Sequence, residues 1–238
     1  MPKVIHILLA LIALLLPRAA TAAGPQEPKE PGEYIIVTGG VSLFIWEKWK
    51  VQPHDNWWAN FVRASRIRIE QIRQANPNQE ITWLVYRPAY VTRSRQDNRD
   101  YTSLITSVRD AFHLRLMWFE TASQFTNYLN RGQPRDRVKI SGLEYFGHSN
   151  KACFMFDYSN VIDSVSKVWF HENDVSRINR GIFTRDALVR SWGCHTGESM
   201  SQRWRSATAV PMWGLIGKSQ YLTEELPIPA TAGGRWVR

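Results

Sequence analysis

Short apolar runs alternate with amphipathic stretches along most of this chain, and that alternation constrains the fold more than any other feature. Each run is 4 to 9 residues long and is followed by glycine or by polar residues, as buried strands are. The runs are residues 34–37, 81–86, 114–119, 138–146, 187–192 and 212–216. The stretches with helical spacing are residues 55–75, 101–112, 122–129 and 200–206.

Strands that are continuously apolar and alternate with helices are typical of a sheet that is covered on both faces. The sequence therefore predicts an α/β fold with a doubly wound, mostly parallel sheet and helices on both faces. In such sheets, binding and catalytic sites form at the carboxyl ends of the strands. Polar residues that directly follow a strand are therefore the first candidates for function.

The first 22 residues resemble an export signal. Lys3 precedes an apolar run over residues 4–16, Pro17 ends that run, and residues 20–22 (Ala-Thr-Ala) form a small-x-small cleavage motif. The run is shorter than the roughly 20 residues that span a bilayer. We expect an exported protein, periplasmic or secreted, without a stable membrane span once the signal is removed. A retained N-terminal anchor is the alternative.

The remaining chain is predicted to be one domain with two flexible ends. Residues 23–32 contain three prolines and three charged residues and predict a linker. Residues 33–222 form the predicted domain, and residues 223–238 predict a flexible C-terminal tail. An aromatic content of 12% excludes a disordered chain, and two cysteines exclude a disulfide scaffold.

The chain is basic, with a formal net charge of +9. Because an exported protein leaves the compartment that contains nucleic acid, we expect no nucleic-acid partner. Anionic envelope polymers, lipid head groups or acidic proteins suit the compartment better. A scatter of solvated arginines is the simpler interpretation.

Two segments combine a strand with a reactive side chain at its end. Residues 143–150 (LEYFGHSN) carry His148, and residues 189–198 (VRSWGCHTGE) carry Cys194. If these strands are neighbours in a parallel sheet, both side chains emerge at the same edge, which places a base beside a thiol. A nearby imidazolium lowers the pKa of a thiol and so produces the nucleophilic thiolate.

Other residues near these motifs have candidate roles as well. The backbone N–H groups of Ser149 and Cys194 are expected to form an oxyanion hole. Glu198 and Asp157 are candidates for a pocket that binds a substrate side chain. A cap on the following helix is the simpler interpretation of Glu198. Asp157, Asp163 and Asp174 are all candidates for orienting His148, and the sequence does not choose among them.

The order Gly-His-Ser, then Ser-x-x-Cys-x-Thr-Gly, each after an apolar strand, resembles the caspase–gingipain superfamily of cysteine peptidases. The 46 positions from His148 to Cys194 are similar to the spacing of about 50 in caspases. The resemblance extends from Tyr34 to Ile216 and implies a caspase-like sheet. It also implies Cys194 as nucleophile, His148 as base, the amides of Ser149 and Cys194 as oxyanion donors, a protein or peptide substrate and no cofactor.

The chain departs from this family at several positions. Ser149 stands where glycine is typical after the histidine, and the caspase signature Gln-Ala-Cys-x-Gly is replaced by residues 192–196 (WGCHT). No basic pocket for an aspartate can be identified. The resemblance is therefore to a distant bacterial-type member and not to a true caspase.

Three alternatives to the Cys–His pair remain open at this stage. A disulfide between Cys153 and Cys194, the two cysteines of an exported chain, would suit a non-catalytic caspase-fold binding protein of the envelope. Ser149 would be the nucleophile of a serine esterase, although residues 153–156 resemble a strand where that motif needs a helix. A metal site at these residues lacks Cys-x-x-Cys or His-x-x-x-His spacing, so we expect no metal.

Overall fold

The computed structural model describes residues 26–42, 57–158 and 167–238. The predicted export signal over residues 1–22 and the candidate Asp163 lie outside the described residues. The described chain is an α/β fold with a seven-stranded central sheet. Its strands are β1 (Glu33–Thr38), β2 (Ile81–Tyr86), β3 (Arg115–Phe119), β4 (Ile140–Phe146), β8 (Phe183–Ser191), β9 (Met212–Ile216) and β12 (Arg235–Val237).

Two smaller sheets and five described helices complete the architecture. One sheet has three strands, β5 (His148–Ser149), β6 (Cys153–Asp157) and β7 (Val168–His171), and the other has two, β10 (Ser219–Gln220) and β11 (Ile228–Pro229). The helices are α1 (Asn60–Ala75), α2 (Arg87–Gln96), α3 (Tyr101–Phe112), α4 (Ala122–Arg131) and α5 (Met200–Thr208), with 3₁₀ turns at Glu172–Arg177 and Arg180–Ile182.

The strand order of the central sheet is β3-β2-β1-β4-β8-β9-β12. Every neighbouring pair is parallel except β9 and β12, which are antiparallel. The chain runs outward from β1 to one edge, returns to the centre at β4, and then runs outward to the other edge. The doubly wound, mostly parallel sheet predicted from the sequence is therefore confirmed.

Successive side chains of the central strands enter two separate cores, one on each face of the sheet. In β1, Ile35 and Val37 pack into one core, whereas Tyr34 and Ile36 pack into the other, as the two-residue period of a strand requires. Helices α4 and α5 cover the first face with Phe125, Leu129, Met200 and Trp204, and α1 and α3 cover the second with Phe61, Val62, Ile69 and Ile105. Within the described residues, no helix is long and apolar enough to cross a membrane.

Helix α2 was not predicted from the sequence. It begins directly after β2, and its last five residues are all polar or charged, so no apolar period marks it. Pro88 occupies its first turn, where proline is tolerated, and Ala89 and Tyr90 are buried. Packing against the sheet stabilises this helix, because its own residues give it little amphipathic character.

Both ends that the sequence predicts to be flexible contact the domain in the structure. The C-terminal residues form β12, which pairs antiparallel with β9 and completes the sheet, and the Trp236 ring packs 5.1 Å from that of Trp192. At the other end, Asp186 accepts hydrogen bonds from the backbone N–H groups of Lys29 (2.6 Å) and Glu30 (3.1 Å). Proline, glycine and small residues predicted loops at both ends, but contacts with distant strands hold these segments against the domain.

Deletion of residues 227–238 tests the structural role of the C-terminus. We expect the free energy of unfolding to fall by about 3 kcal/mol, because burial of one large aromatic side chain contributes about that much. The unfolding midpoint should then fall by roughly 6–12 °C, measured by circular dichroism. Arg235→Ala, which changes an exposed side chain of the same strand, should leave the midpoint unchanged. An unchanged midpoint after the deletion would instead show that residues 227–238 do not contribute to stability.

Candidate active site

The two strands that carry the reactive motifs are neighbours in the central sheet. β4 and β8 pair in parallel, with Tyr145 opposite Ser191. The N–H of Trp192 extends the ladder by donating to the Tyr145 carbonyl at 2.9 Å. The turns that follow the two strands therefore lie at the same carboxyl edge of the sheet.

A direct hydrogen bond joins these two turns. The Ser149 hydroxyl donates to the Cys194 carbonyl at 2.7 Å. Gly193 makes this approach possible, because a Cβ at that position would lie 2.1 Å from Ser149 Oγ and 3.0 Å from the Gly147 carbonyl oxygen. The backbone of Gly193 does not adopt a positive φ. The close contact between the turns is therefore the reason that glycine is required at residue 193.

The Cys194 side chain is partly exposed, and Ser219 contacts its sulfur with two atoms. The Ser219 N–H donates to Sγ at 3.4 Å, and the Ser219 hydroxyl lies 3.5 Å from it. In the described parts of the chain these are the hydrogen bonds of the thiol. The backbone N–H of Cys194 has no hydrogen-bond partner among those residues, which leaves it available as an oxyanion donor.

The amide of Ser149 belongs to the short strand β5. This strand pairs antiparallel with β6. The backbone N–H of Asn150 donates to the Cys153 carbonyl of β6 at 3.1 Å, and His148 lies opposite Met155 of β6. Hydrogen-bonded and non-hydrogen-bonded pairs alternate along an antiparallel ladder. The N–H of Ser149 therefore points away from β6, so both predicted oxyanion donors are free of the β5–β6 ladder.

Aromatic side chains surround the half-buried His148 ring. Phe61 of α1 contacts the ring edge-on with a centroid distance of 5.0 Å, and Tyr158 contacts it at 4.7 Å. The His148 carbonyl also accepts a hydrogen bond from the Tyr145 hydroxyl at 2.6 Å. The imidazole is thus oriented by packing from two elements that are far apart in the sequence.

The candidate carboxylates lie in different surroundings. Asp157 is buried and accepts a hydrogen bond from the Tyr86 hydroxyl at 2.7 Å, which together with burial raises the pKa of that tyrosine. Asp174 lies in a 3₁₀ turn, where its carboxylate accepts from the His171 N–H at 3.1 Å. Asp157 therefore links β6 to β2, whereas Asp174 stabilises the local turn that follows β7.

Glu198 holds the loop after β8 and does not cap α5. Its Oε1 atom lies 2.6 Å from Nδ1 of His195 and accepts from the Gly217 N–H at 3.1 Å. The hydrogen bond from His195 lowers the pKa of Glu198. Ser199 is the residue at the cap position of α5. The predicted capping role of Glu198 is therefore wrong, because its carboxylate turns back to the segment that follows β9.

A cleft of about 500 Å³ lies beside this loop. Glu198 contributes to its wall, whereas Asp157, the other candidate for a substrate pocket, is not one of the lining residues. The lining residues are Asn150, Lys151, Ala152, Cys153, His171, His195 and Glu198.

The two cysteines are both free thiols and differ in environment. Burial, followed by the charges of Glu172 and Asp174, raises the pKa of Cys153 to about 11. Cys153 is therefore a protonated thiol at neutral pH, whereas hydrogen-bond donors contact the sulfur of Cys194.

A buried charge network lies beneath the site. Glu144 is fully buried in β4 and accepts hydrogen bonds from Arg68 Nε at 2.5 Å and from Trp192 Nε1 at 2.6 Å. The Tyr34 hydroxyl also donates to it. Burial acts to raise the pKa of Glu144, but the charges of Arg68 and Arg190 and the hydrogen bonds from Tyr34 and Arg68 together outweigh it and hold the pKa below its usual value. The sequence analysis did not identify this network, although a charged residue inside an apolar strand is a signal that could have revealed it.

Tyr221 also joins the two turns and was missed by the sequence analysis. Its hydroxyl accepts from the Gly147 N–H at 3.0 Å and donates to the Trp192 carbonyl at 3.5 Å. Its ring packs on Phe61, with a centroid distance of 4.9 Å. No local sequence pattern identifies this residue, because its partners are 29 to 160 positions away.

Over the described ranges, no group of three or more histidine, cysteine, aspartate or glutamate side chains has an arrangement suited to a metal ion. A scan against protein-family models, a search of curated proteins and a search of solved structures each found no match to this chain.

Proposed function

We propose that this protein is an exported cysteine peptidase that acts on protein or peptide substrates. The observation that carries the proposal is the junction of the two strand-end turns. His148 and Cys194 follow neighbouring parallel strands, and the Ser149–Cys194 hydrogen bond ties their turns together. A base and a thiol at one edge of the sheet are the components of nucleophilic catalysis.

The proposed reaction proceeds through an acyl-enzyme. His148 accepts the thiol proton, and Cys194 Sγ forms a bond with the substrate carbonyl carbon. The N–H groups of Cys194 and Ser149 stabilise the resulting oxyanion. His148 then protonates the leaving amine as the C–N bond breaks, and water hydrolyses the thioester to release the acid and restore the thiol. Each step uses groups of this chain, the substrate and water.

The cleft beside the loop is the proposed site for a substrate side chain. It is adjacent to the nucleophile, because His195 lines it and directly follows Cys194. The low pKa of Glu198 keeps a negative charge at its wall, and Lys151 adds a positive charge. This pairing suits a polar side chain better than an apolar one.

Alkylation with iodoacetamide between pH 5 and 9, followed by peptide mapping, tests the proposed pair. We expect Cys194 to be alkylated rapidly at neutral pH. His148→Ala should slow this reaction, because a nearby imidazolium favours the thiolate. Cys153 is an internal control and should react slowly throughout, since its pKa is about 11.

Two outcomes would contradict the proposal. If Cys194 reacts only after a reductant is added, the protein forms the Cys153–Cys194 bridge and the binding-protein alternative takes its place. If the reactivity of Cys194 is the same in wild type and in His148→Ala, then His148 is not the base.

A further inference from the structure

Ser219 contacts the candidate nucleophile from a third segment of the chain, outside the two turns described above. It belongs to β10, after the last parallel strand of the sheet, and both its N–H and its hydroxyl contact Cys194 Sγ. We propose that Ser219 is a positioning residue that holds the Cys194 side chain and favours its thiolate form. This inference rests on the proposed function, in which Cys194 is the nucleophile.

The chemistry of the two contacts supports this role. A backbone N–H is only a donor, so the 3.4 Å contact from Ser219 directs a positive partial charge at the sulfur. The hydroxyl, at 3.5 Å, can rotate to donate a second hydrogen bond when the thiol loses its proton. Hydrogen bonds to the charged form of a group favour that form. Ser219 therefore supplements His148 in stabilising the thiolate.

Ser219 is held in place from two directions. On one side, His195 N–H donates to the Gly217 carbonyl at 2.7 Å, and Glu198 accepts from the Gly217 N–H. These bonds fix the segment before Ser219 to the loop that bears Cys194. Because the contact between Ser219 and Cys194 joins two anchored segments, the sulfur and its donors keep their relative positions.

The second anchor is the C-terminal segment that had been predicted to be flexible. The Thr231 hydroxyl accepts from the Lys218 N–H at 2.9 Å, and the Ala230 N–H donates to the Lys218 carbonyl at 2.8 Å. Strand β11 pairs with β10, with Pro229 opposite Ser219. The C-terminal segment therefore stabilises the residue that contacts the nucleophile.

Ser219→Ala, with Ser219→Thr as the matched control, tests this role through the pH dependence of Cys194 alkylation. We expect Ser219→Ala to slow the alkylation of Cys194 about tenfold on the acid side of the profile. Ser219→Thr keeps the hydroxyl and should have the same alkylation profile as wild type. Thermal unfolding midpoints of both variants should equal that of wild type, because Ser219 is only partly buried.

The outcomes separate this inference from the proposed function. An unchanged alkylation profile in Ser219→Ala would overturn the inference, even if peptide cleavage were shown to depend on Cys194 and His148. An equal shift in Ser219→Ala and Ser219→Thr would overturn it too, because the hydroxyl would then not be the cause. A shift of the alkylation profile that occurs in Ser219→Ala and is absent in Ser219→Thr would support the inference. This holds even if no peptide were cleaved and the peptidase proposal failed.

Discussion

Cys194→Ala is expected to reduce kcat/KM for a cleaved peptide by about 10³-fold or more, because the variant lacks the atom that forms the acyl-enzyme. His148→Ala should cause a loss of the same order, since an uncharged thiol is a poor nucleophile. The double variant should be no slower than the worse single variant, because the two side chains act as a unit. The measurement is cleavage of a fluorogenic peptide chosen from a library screen with the wild-type protein.

Two controls make this result decisive. Each variant should retain the wild-type circular dichroism spectrum and unfolding midpoint, so that a loss of activity is not a loss of fold. Ser107→Ala, on the exposed side of α3, should retain full activity. If Cys194→Ala cleaves the peptide as fast as wild type, the nucleophile lies elsewhere. The structure makes Ser149 a poor replacement, because its hydroxyl donates to the Cys194 carbonyl and β6, not a helix, follows it.

Glu144→Gln is expected to lower the free energy of unfolding by about 3 kcal/mol, because Arg68 loses its buried charged partner and keeps only the half-exposed Glu27. Arg68 and Glu144 are 6% and 0% exposed, so water cannot replace the lost interaction. Urea unfolding followed by tryptophan fluorescence measures the change. Glu70→Gln is the matched control: it removes a carboxylate whose partner is the exposed Arg66, and it should change stability by less than about 1 kcal/mol.

The contribution of Glu144 should also depend on pH in a defined direction. Its pKa is lower in the folded protein than its usual value, so folding favours the ionised form. The associated stability is present above the unfolded-state pKa of about 4.3 and is lost as the pH falls through the folded-state value. The difference in stability between wild type and Glu144→Gln should therefore be constant near neutral pH and decrease in acid. A difference that increased as the pH fell would contradict this assignment.

The same network affects the candidate site through Trp192. The Trp192 indole donates to Glu144, and Trp192 immediately precedes Gly193 and Cys194. A loss of Glu144 should therefore disturb the loop that carries Cys194 as well as the core. Activity and stability are expected to fall together in Glu144→Gln, whereas Ser219→Ala should change the alkylation profile without changing stability.

The sequence alone determined the fold class and the edge of the sheet where His148 and Cys194 lie. Buried parallel strands must be continuously apolar, so β1, β2, β4 and β9 stand out as runs of hydrophobic residues. Chemistry-bearing residues at strand ends are marked by the glycines that follow those runs. Both signals are local, and a single sequence contains them.

Only the tertiary structure decided what surrounds the candidate nucleophile. Ser219, Tyr221 and Thr231 show no local pattern that marks them, and the segment that contains Thr231 was predicted to be a mobile tail. Strand β12 is three residues long and becomes a strand because β9 provides an unpaired edge beside it. The physical reason is the same in each case: these positions are determined by hydrogen bonds and packing between distant segments, and hydrophobic periodicity records only which face of its own element a residue occupies.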